Sequence, residues 1–369
     1  MKLKLYISVL LSVFVSVSAY TQIDRSERPE PGPAPEINIP VADEFELPNG
    51  LKVIVVENDK LPRVSYNLRL VNDPVLEKEN KGYASLAGQM LRNGTHNMSK
   101  EEIDEAIDFI GANVTTHSRG FFATSLSRHN EDLLKILSDI TINPSFPEQE
   151  FEKLRSRSIS NIASQKGSAD YMMGLLNKKL VYGEDHPYGE SETEETLSNI
   201  TVEHCKDYYQ SYFKPNVAYL IIVGDVKTKK VKRLIKKYFG DWESGDVPQH
   251  DYEEARPPQQ RKVAVIDRPE AAQTSLKVAY PIEHKPNDKD RIAASVMNTL
   301  LGGGFFRLNE NLREEHGYTY GAYSSLNRDN LISSFSISTE VGTEVTDSAV
   351  QQVINEMYRL VHEPVDENE

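Results

Sequence analysis

The sequence has little cysteine, little positive charge and, after its first segment, no apolar run long enough to cross a bilayer. Its single cysteine, Cys205, excludes a disulfide framework or a thiolate-rich zinc or iron–sulfur site within this chain. Its 42 lysines and arginines are outnumbered by 56 aspartates and glutamates, which gives a formal net charge of −14. This acidity argues against a nucleic-acid-binding protein, because such proteins usually present a basic surface. The 38% of hydrophobic residues is too high for a disordered chain and indicates folded domains.

The usual motifs of hydrolytic and metal chemistry are also absent. No two of the nine histidines lie three to five residues apart, so no helix presents two imidazoles to one metal ion. The sequence contains neither a G-x-S-x-G nucleophile motif nor a G-x-x-x-x-G-K-S/T phosphate loop. One S-x-x-K match, Ser211 to Lys214, is expected by chance in a chain of this composition. We expect Cys205 to be buried on the apolar face of a helix rather than activated by its neighbours.

The first 40 residues have the features of an export segment and a tether. Residues 1–19 combine Lys2 and Lys4 with an apolar stretch that ends at Ala19, and this pattern predicts a secretory signal peptide. A membrane anchor is the alternative, but the stretch is shorter than the ~20 apolar residues that a span needs. Residues 20–40 contain five prolines and predict an extended tether. We therefore expect an exported protein, with the bacterial periplasm as its compartment.

The remaining sequence predicts two similar domains. The first covers 41–243 and the second 262–369, and a polar, proline-containing linker spans 244–261. Strands and helices follow one another in a similar order in both, which indicates a duplicated unit; two unrelated domains are the alternative. The predicted fold class is α+β, with mostly antiparallel sheets and helices on one face. The second domain has no counterpart of the closing elements of the first, so we expect it to be incomplete, and C-terminal truncation is one explanation.

Local patterns predict the individual elements within these domains. Asn49-Gly50 is a hairpin signal between two short strands of the segment 45–58, and Ser99 with Glu102 forms a capping box at a helix start. Further strands are predicted at 64–71, 113–118, 121–127, 218–223, 262–266, 274–280, 318–326 and 331–338. Helices are predicted at 82–92, 99–111, 131–140, 147–164, 169–181, 201–214, 227–239, 288–301, 308–315 and 347–361.

Candidate binding residues are concentrated between positions 302 and 325. Gly302, Gly303 and Gly304 would allow backbone amides to approach a ligand closely. Arg313 and Tyr320 carry good donors for a carbonyl group or a developing oxyanion. From the pattern alone, a glycine hinge with a solvated arginine and half-buried tyrosines is the simpler interpretation.

Four blocks, in order, resemble the insulinase/pitrilysin family of zinc metallopeptidases. They are FELPNGLKVIVVEN (45–58), GYASLAGQMLRNGT (82–95), YFKPNVAYLIIVGDV (212–226) and LGGGFFRLNENLREEHGYTYGAYSS (301–325). The resemblance implies two similar halves that face each other as a clamshell and enclose an unfolded peptide. It also implies an exposed sheet edge that binds the peptide by strand addition.

The zinc motif of that family is missing. Active members carry H-x-x-E-H, in which two histidines bind zinc and the glutamate acts as general base. The alignment places Ser85, Gly88 and Gln89 at these three positions, and it places Asn161 at a more distant glutamate ligand. These residues cannot hold Zn²⁺ or take a proton from its water. We therefore expect no catalytic residue and no metal ligand in this chain, which would be inactive alone.

The family's substrate-binding residues are present. Its arginine and tyrosine correspond to Arg313 and Tyr320, and its glycine-rich segment corresponds to 302–307. The resemblance thus implies a non-catalytic subunit of an exported heterodimer, which positions unfolded peptides for a homologous partner that carries the zinc. The alternatives are a non-hydrolytic peptide-binding or assembly protein, an autonomous peptidase with an unrecognised metal site, and a truncated, poorly folding product.

Overall fold

The computed structural model describes residues 32–33, 41–253, 259–304 and 306–366. The predicted signal peptide (1–19) lies outside these residues, as does the predicted tether (20–40) except for Gly32 and Pro33. The chain divides into Met1–Val41 and one compact unit, Ala42–Glu369. None of the helices in the described ranges is both long enough and apolar enough to span a membrane. No observation tests the predicted domain boundaries, which stay a prediction.

The first part of the compact unit contains a six-stranded sheet. Its strands are β1 (Asp43–Glu46), β2 (Lys52–Glu57), β3 (Arg63–Leu70), β4 (Asn113–His117), β5 (Gly120–Leu126) and β6 (Ala218–Gly224). They lie side by side in the order β1-β2-β6-β3-β5-β4, and all neighbours are antiparallel except β2 and β6. Residues of β6 alternate between buried and half-buried positions, as expected for a sheet with one face on the core.

The Asn49-Gly50 turn between β1 and β2 confirms the predicted hairpin. Gly50 adopts φ +88°, a left-handed conformation that favours glycine. The Asn49 side chain donates hydrogen bonds to the carbonyl oxygens of Phe239, at 2.8 Å, and Trp242, at 2.9 Å. The turn therefore also fixes the end of a helix that lies 190 residues away in the sequence.

Eight α-helices accompany this sheet in the described residues. They are α1 (Tyr83–Met90), α2 (Lys100–Phe109), α3 (Asn130–Ile142), α4 (Glu148–Gln165), α5 (Ala169–Tyr182), α6 (Glu194–Asn199), α7 (Val202–Tyr212) and α8 (Thr228–Phe239). Helix α2 begins with the predicted capping box, in which Ser99 Oγ accepts from Glu102 N and the Glu102 carboxylate accepts from Ser99 N. Helix α6 was not predicted from the sequence.

One continuous apolar core joins the sheet to these helices. Its largest fully buried side chains include Tyr66, Phe121, Phe151 and Phe239. The phenol of Tyr66 donates a hydrogen bond to the amide oxygen of Asn130, so this polar group has a partner inside the core.

A second, smaller sheet lies in the C-terminal part of the compact unit. Its strands are β7 (Gln273–Ile282), β8 (Ala322–Asn327) and β9 (Ser333–Gly342), in the antiparallel order β7-β9-β8. Its helices are α9 (Arg291–Gly302), α10 (Arg307–Asn309), which continues into a π-helical turn (Glu310–Glu315), and α11 (Thr346–His362). A separate apolar cluster holds these elements together, and Leu301, Leu308, Phe335 and Val353 are among its buried residues.

The predicted strand at 262–266 is wrong, since these residues have no regular structure. In the first sheet β6 lies between β2 and β3, so β2 has a partner. Among the described residues, no strand occupies the corresponding place beside β7. The strand that would lie between 262–266 and β7 is thus missing from the described residues, and Val263 and Val265 are 88% and 82% exposed.

The predicted strand at 318–326 begins only at Ala322. The Thr319 hydroxyl accepts from Gly321 N at 3.1 Å and donates to Gly321 O at 2.9 Å. This local turn satisfies backbone groups that a strand would otherwise use in its ladder.

Candidate functional site

Two of the three zinc-motif positions lie on the exposed face of α1. Ser85 is half-buried and Gln89, one turn later, is exposed. The Gln89 amide donates to the Ser85 hydroxyl at 3.3 Å, so the two side chains bind each other. Both groups are neutral and neither belongs to the imidazole, thiolate and carboxylate donors that hold zinc in proteins.

The third position, Gly88, faces the turn between β4 and β5 and is buried. A Cβ atom at this position would lie 2.1 Å from the carbonyl carbon of His117 and 2.2 Å from the amide nitrogen of Ser118. Only glycine allows α1 and the hairpin backbone to approach so closely. In this packing a glutamate side chain has no space at the family's general-base position.

The remaining zinc-ligand position also lacks a suitable donor. Asn161 lies on α4 and is exposed. Among the described residues, the single group of His, Cys, Asp and Glu with metal-ligand spacing is His284, Asp288 and Asp290, in the C-terminal part of the unit. The residues at the family's zinc position therefore do not fit a zinc ion, and hydrolysis by zinc-bound water has no basis at α1.

The predicted glycine-rich segment forms the end of α9. A Cβ atom on Gly302 would lie 2.2 Å from the amide nitrogen of Ser324, so glycine lets the helix end pack against β8. Gly303 donates its N–H to Thr299 O at 2.8 Å, and Gly304 adopts φ +59°. Gly302 and Gly304 thus have structural reasons to be glycine. Their predicted role in substrate binding is not tested by the structure and stays a prediction.

Arg313 and Tyr320 are both accessible to solvent. Arg313 belongs to the π-helical turn, and its Nε lies 3.4 Å from the Glu314 carboxylate. Tyr320 lies in the loop before β8 and is 90% exposed. No hydrogen bond joins the two side chains in the part of the chain that the structure describes, so each is available to another molecule.

The segments that carry Arg313 and Tyr320 are tied together by a residue that the sequence analysis did not identify. The Asn309 amide donates to Ala322 O at 2.8 Å, and its oxygen accepts from Ala322 N at 3.0 Å. Asn309 is buried, and this paired contact joins the start of the π-helical turn to the start of β8. On the opposite side, Thr339 donates to Gly321 O at 3.0 Å. No sequence pattern indicates the role of Asn309, because an asparagine inside a helical segment has no distinctive spacing.

The contact between the N-terminal and C-terminal parts of the unit involves aromatic residues. Tyr188 donates its phenolic proton to the Asp329 carboxylate at 2.8 Å, and Tyr182 hydrogen-bonds to the Ser334 hydroxyl at 3.1 Å. His186 packs edge-on against the Tyr188 ring. These contacts connect the end of α5 and the loop after it with the β8–β9 region.

Cys205 is fully buried on α7, as predicted. Burial raises the pKa of its thiol to about 12. A thiol with such a pKa has almost no thiolate at neutral pH and is not a nucleophile.

Comparison with known proteins agrees with these features. The model of the insulinase family (peptidase family M16) matches residues 76–178, and that of the peptidase M16 inactive domain matches residues 199–369. A Helicobacter pylori protein named non-peptidase homolog YmxG is 23% identical over 315 residues, which cover 82% of this chain and 72% of that protein. An uncharacterised zinc protease of Bacillus subtilis, YmxG, is 24% identical over 290 residues, covering 76% and 69%.

The fold is also that of a solved structure. The peptidase M16 inactive domain from Pseudomonas fluorescens superposes with a TM-score of 0.80 at 23% identity, and the match covers 88% of this chain and 80% of that one. This similarity establishes the α+β architecture of the family's clamshell halves. The two matched ranges together contain strands β4 to β9, which belong to both sheets described above. This chain, which lacks the H-x-x-E-H motif, belongs to the insulinase family, peptidase family M16.

Proposed function

We propose that this chain is the non-catalytic subunit of an exported zinc metallopeptidase complex. In this role it would enclose an unfolded peptide and position it for a homologous partner subunit that carries the zinc. The relative named as a non-peptidase and the match to an inactive-domain model support the non-catalytic part of this role. The peptide-degrading family to which the chain belongs supports a peptide substrate.

The main support for the proposal is that the general-base position, Gly88, has no space for a side chain. The backbone of the β4–β5 turn occupies the space that a side chain at Gly88 would need. In contrast, Arg313 and Tyr320 are exposed, and the Asn309 contact fixes the segments that carry them. A chain with no zinc chemistry at α1 but with two accessible donors is better suited to holding a substrate than to cleaving it.

Strand addition provides a physical route for substrate binding. β4 forms one edge of the six-stranded sheet, so its outer N–H and C=O groups have no strand partner in the described residues. An extended peptide can pair with such an edge and gain main-chain hydrogen bonds without any sequence preference. Arg313 would then act as a charged donor and Tyr320 as a neutral donor to carbonyl groups of the peptide.

Mixing experiments test this proposal directly. The full-length chain would be combined with the H-x-x-E-H-containing homologue from the same genome, and cleavage of a fluorogenic unfolded peptide would be measured. We expect little cleavage by this chain alone and a clear gain on mixing. Arg313→Ala should remove most of the gain, whereas Arg233→Ala, on the exposed face of α8, should leave it unchanged. Absence of any gain on mixing would overturn the proposal.

Export is a separate part of the proposal and rests on the sequence of residues 1–19. N-terminal sequencing of the protein isolated from its native cell should begin near Tyr20. A native N-terminus at Met1 would contradict export through a cleaved signal peptide.

A peptide-binding or assembly protein without any protease partner is the second candidate. The neutral Ser85–Gln89 pair favours it, because this function needs neither zinc nor a general base. Under this alternative, a labelled unfolded peptide would bind the isolated chain and be recovered intact, and no zinc-bearing homologue would copurify with the chain.

A further inference from the structure

A histidine and two aspartates converge in the connection between β7 and α9, far in sequence from the family's zinc position. His284 follows the end of β7 by two residues, and Asp288 and Asp290 precede α9. His284 Nδ1 lies 3.6 Å from Asp288 Oδ2 and 3.6 Å from Asp290 Oδ1. The three potential ligand atoms all lie within 4.8 Å of one another. The functions considered above do not use any of these side chains.

The distances match coordination better than hydrogen bonding. A nitrogen–oxygen hydrogen bond is about 2.7–3.2 Å long, so 3.6 Å is too great for one. Two ligands at about 2.0–2.1 Å from a tetrahedral ion are separated by roughly 3.3–3.4 Å. A shift of a few tenths of an ångström would therefore bring His284 Nδ1 and either aspartate oxygen to ligand positions around one ion.

The burial of His284 supports a ligand at this cluster. Its side chain is only 7% exposed, and its Nε2 is buried without a hydrogen-bond partner among the described residues. Burying an imidazole without such partners is unfavourable. Its other ring nitrogen, Nδ1, faces the two carboxylates and also has no hydrogen bond among the described residues, so a bound cation would give Nδ1 a ligand bond and leave Nε2 as it is.

The backbone around the cluster is already fixed. The Ser333 hydroxyl donates to His284 O at 2.6 Å, which holds the histidine against β9. Asp288 Oδ2 accepts from Lys285 N at 2.7 Å, and this leaves its second oxygen free to turn outward. Asp288 and Asp290 are 41% and 75% exposed, so an ion can enter from solvent and keep water as its remaining ligands.

We propose that His284, Asp288 and Asp290 bind one divalent transition-metal ion, with Zn²⁺ as the expected species. One imidazole and two carboxylates form a ligand set that zinc accepts. The ion would connect the end of β7 to the start of α9 and stabilise the smaller of the two apolar clusters. It would be a structural ion, because no general base or substrate-binding residue identified above lies within the cluster.

Zinc titration of the full-length chain tests this site. After treatment with a chelator, Zn²⁺ binding is measured by calorimetry, and the melting temperature is measured with and without zinc. We expect one ion per chain and a higher melting temperature with zinc. Asp290→Asn changes an exposed side chain and should leave the fold intact, yet it should weaken binding by more than about tenfold. His284→Ala should abolish binding.

His96→Ala serves as the matched control, because it removes an exposed histidine outside the cluster and should bind zinc like the wild type. A stoichiometry far below one zinc ion per wild-type chain would overturn the proposal. So would binding that persists unchanged in both Asp290→Asn and His284→Ala. Neither result affects the proposed role as a peptidase subunit, which is judged by cleavage on mixing with the partner.

Discussion

Replacing Gly88 by alanine should destabilise the first core, and the size of the effect follows from the packing of α1. The added Cβ would lie 2.1 Å from the His117 carbonyl carbon, whereas ordinary contacts begin at 3.4 Å. The helix or the β4–β5 turn must therefore move by about 1.3 Å, the difference between these two distances. Overpacking of this kind costs up to ~3 kcal/mol, and the better helix propensity of alanine returns ~1 kcal/mol. We expect a net loss of about 2 kcal/mol.

Urea unfolding followed by tryptophan fluorescence measures this loss. The single tryptophan, Trp242, is buried in the first core and reports on the correct region. Gly174→Ala is the matched control, because Gly174 lies inside α5 and a Cβ there would meet no atom within 4 Å. This control should gain about 0.5–1 kcal/mol of stability from helix propensity alone. If Gly88→Ala were as stable as Gly174→Ala, the inference that position 88 is closed would be refuted.

Three further predictions concern buried groups. Cys205 should not react with a thiol reagent at pH 8 until the protein unfolds, because burial raises the pKa of its thiol to about 12. Burial lowers the pKa of His186 below its ordinary 6.5, and its Nδ1 accepts a hydrogen bond from Tyr188 N that protonation would break. As the pH falls, the unfolded chain therefore binds a proton at His186 before the folded chain does, so the free energy of unfolding should fall below pH 7. This decrease should be less steep in His186→Gln. Asn309→Ala leaves the backbone N–H and C=O of Ala322 without their partners, at a cost of about 1–3 kcal/mol, and should speed amide hydrogen exchange at residues 318–323.

Sequence patterns predicted the elements whose cause is local. The Ser99–Glu102 capping box and the Asn49-Gly50 hairpin depend on side chains within a few residues of the backbone groups that they satisfy. The alternation of buried and half-buried residues along β6 likewise follows from a sheet that buries one face. These features need no knowledge of distant contacts, and the structure confirms each of them.

The predictions that failed depend on partners far away in the sequence. The segment 262–266 has the composition of a strand, but by analogy with β2 its partner would be a strand beside β7, and the described residues contain no such strand. Tyr318 and Tyr320 alternate as strand residues do, yet Thr319 closes a local turn before the ladder begins. The cluster of His284 with two aspartates has no sequence signature, because it contains a single histidine and carboxylate ligands in a loop follow no fixed spacing.

The three positions of the missing zinc motif differ in whether the packing would accept the family's residue. Ser85 is half-buried and Gln89 is exposed on the same face of α1, where their side chains bind each other, so histidines at both positions would form an i, i+4 pair able to bind a metal ion. A glutamate at position 88 would not fit, because the His117–Ser118 backbone occupies its place. Zinc binding and zinc hydrolysis are therefore separable in this fold. Restoring the two ligands should yield a metal-binding but inactive chain, and activity would additionally require the β4–β5 turn to move away from α1.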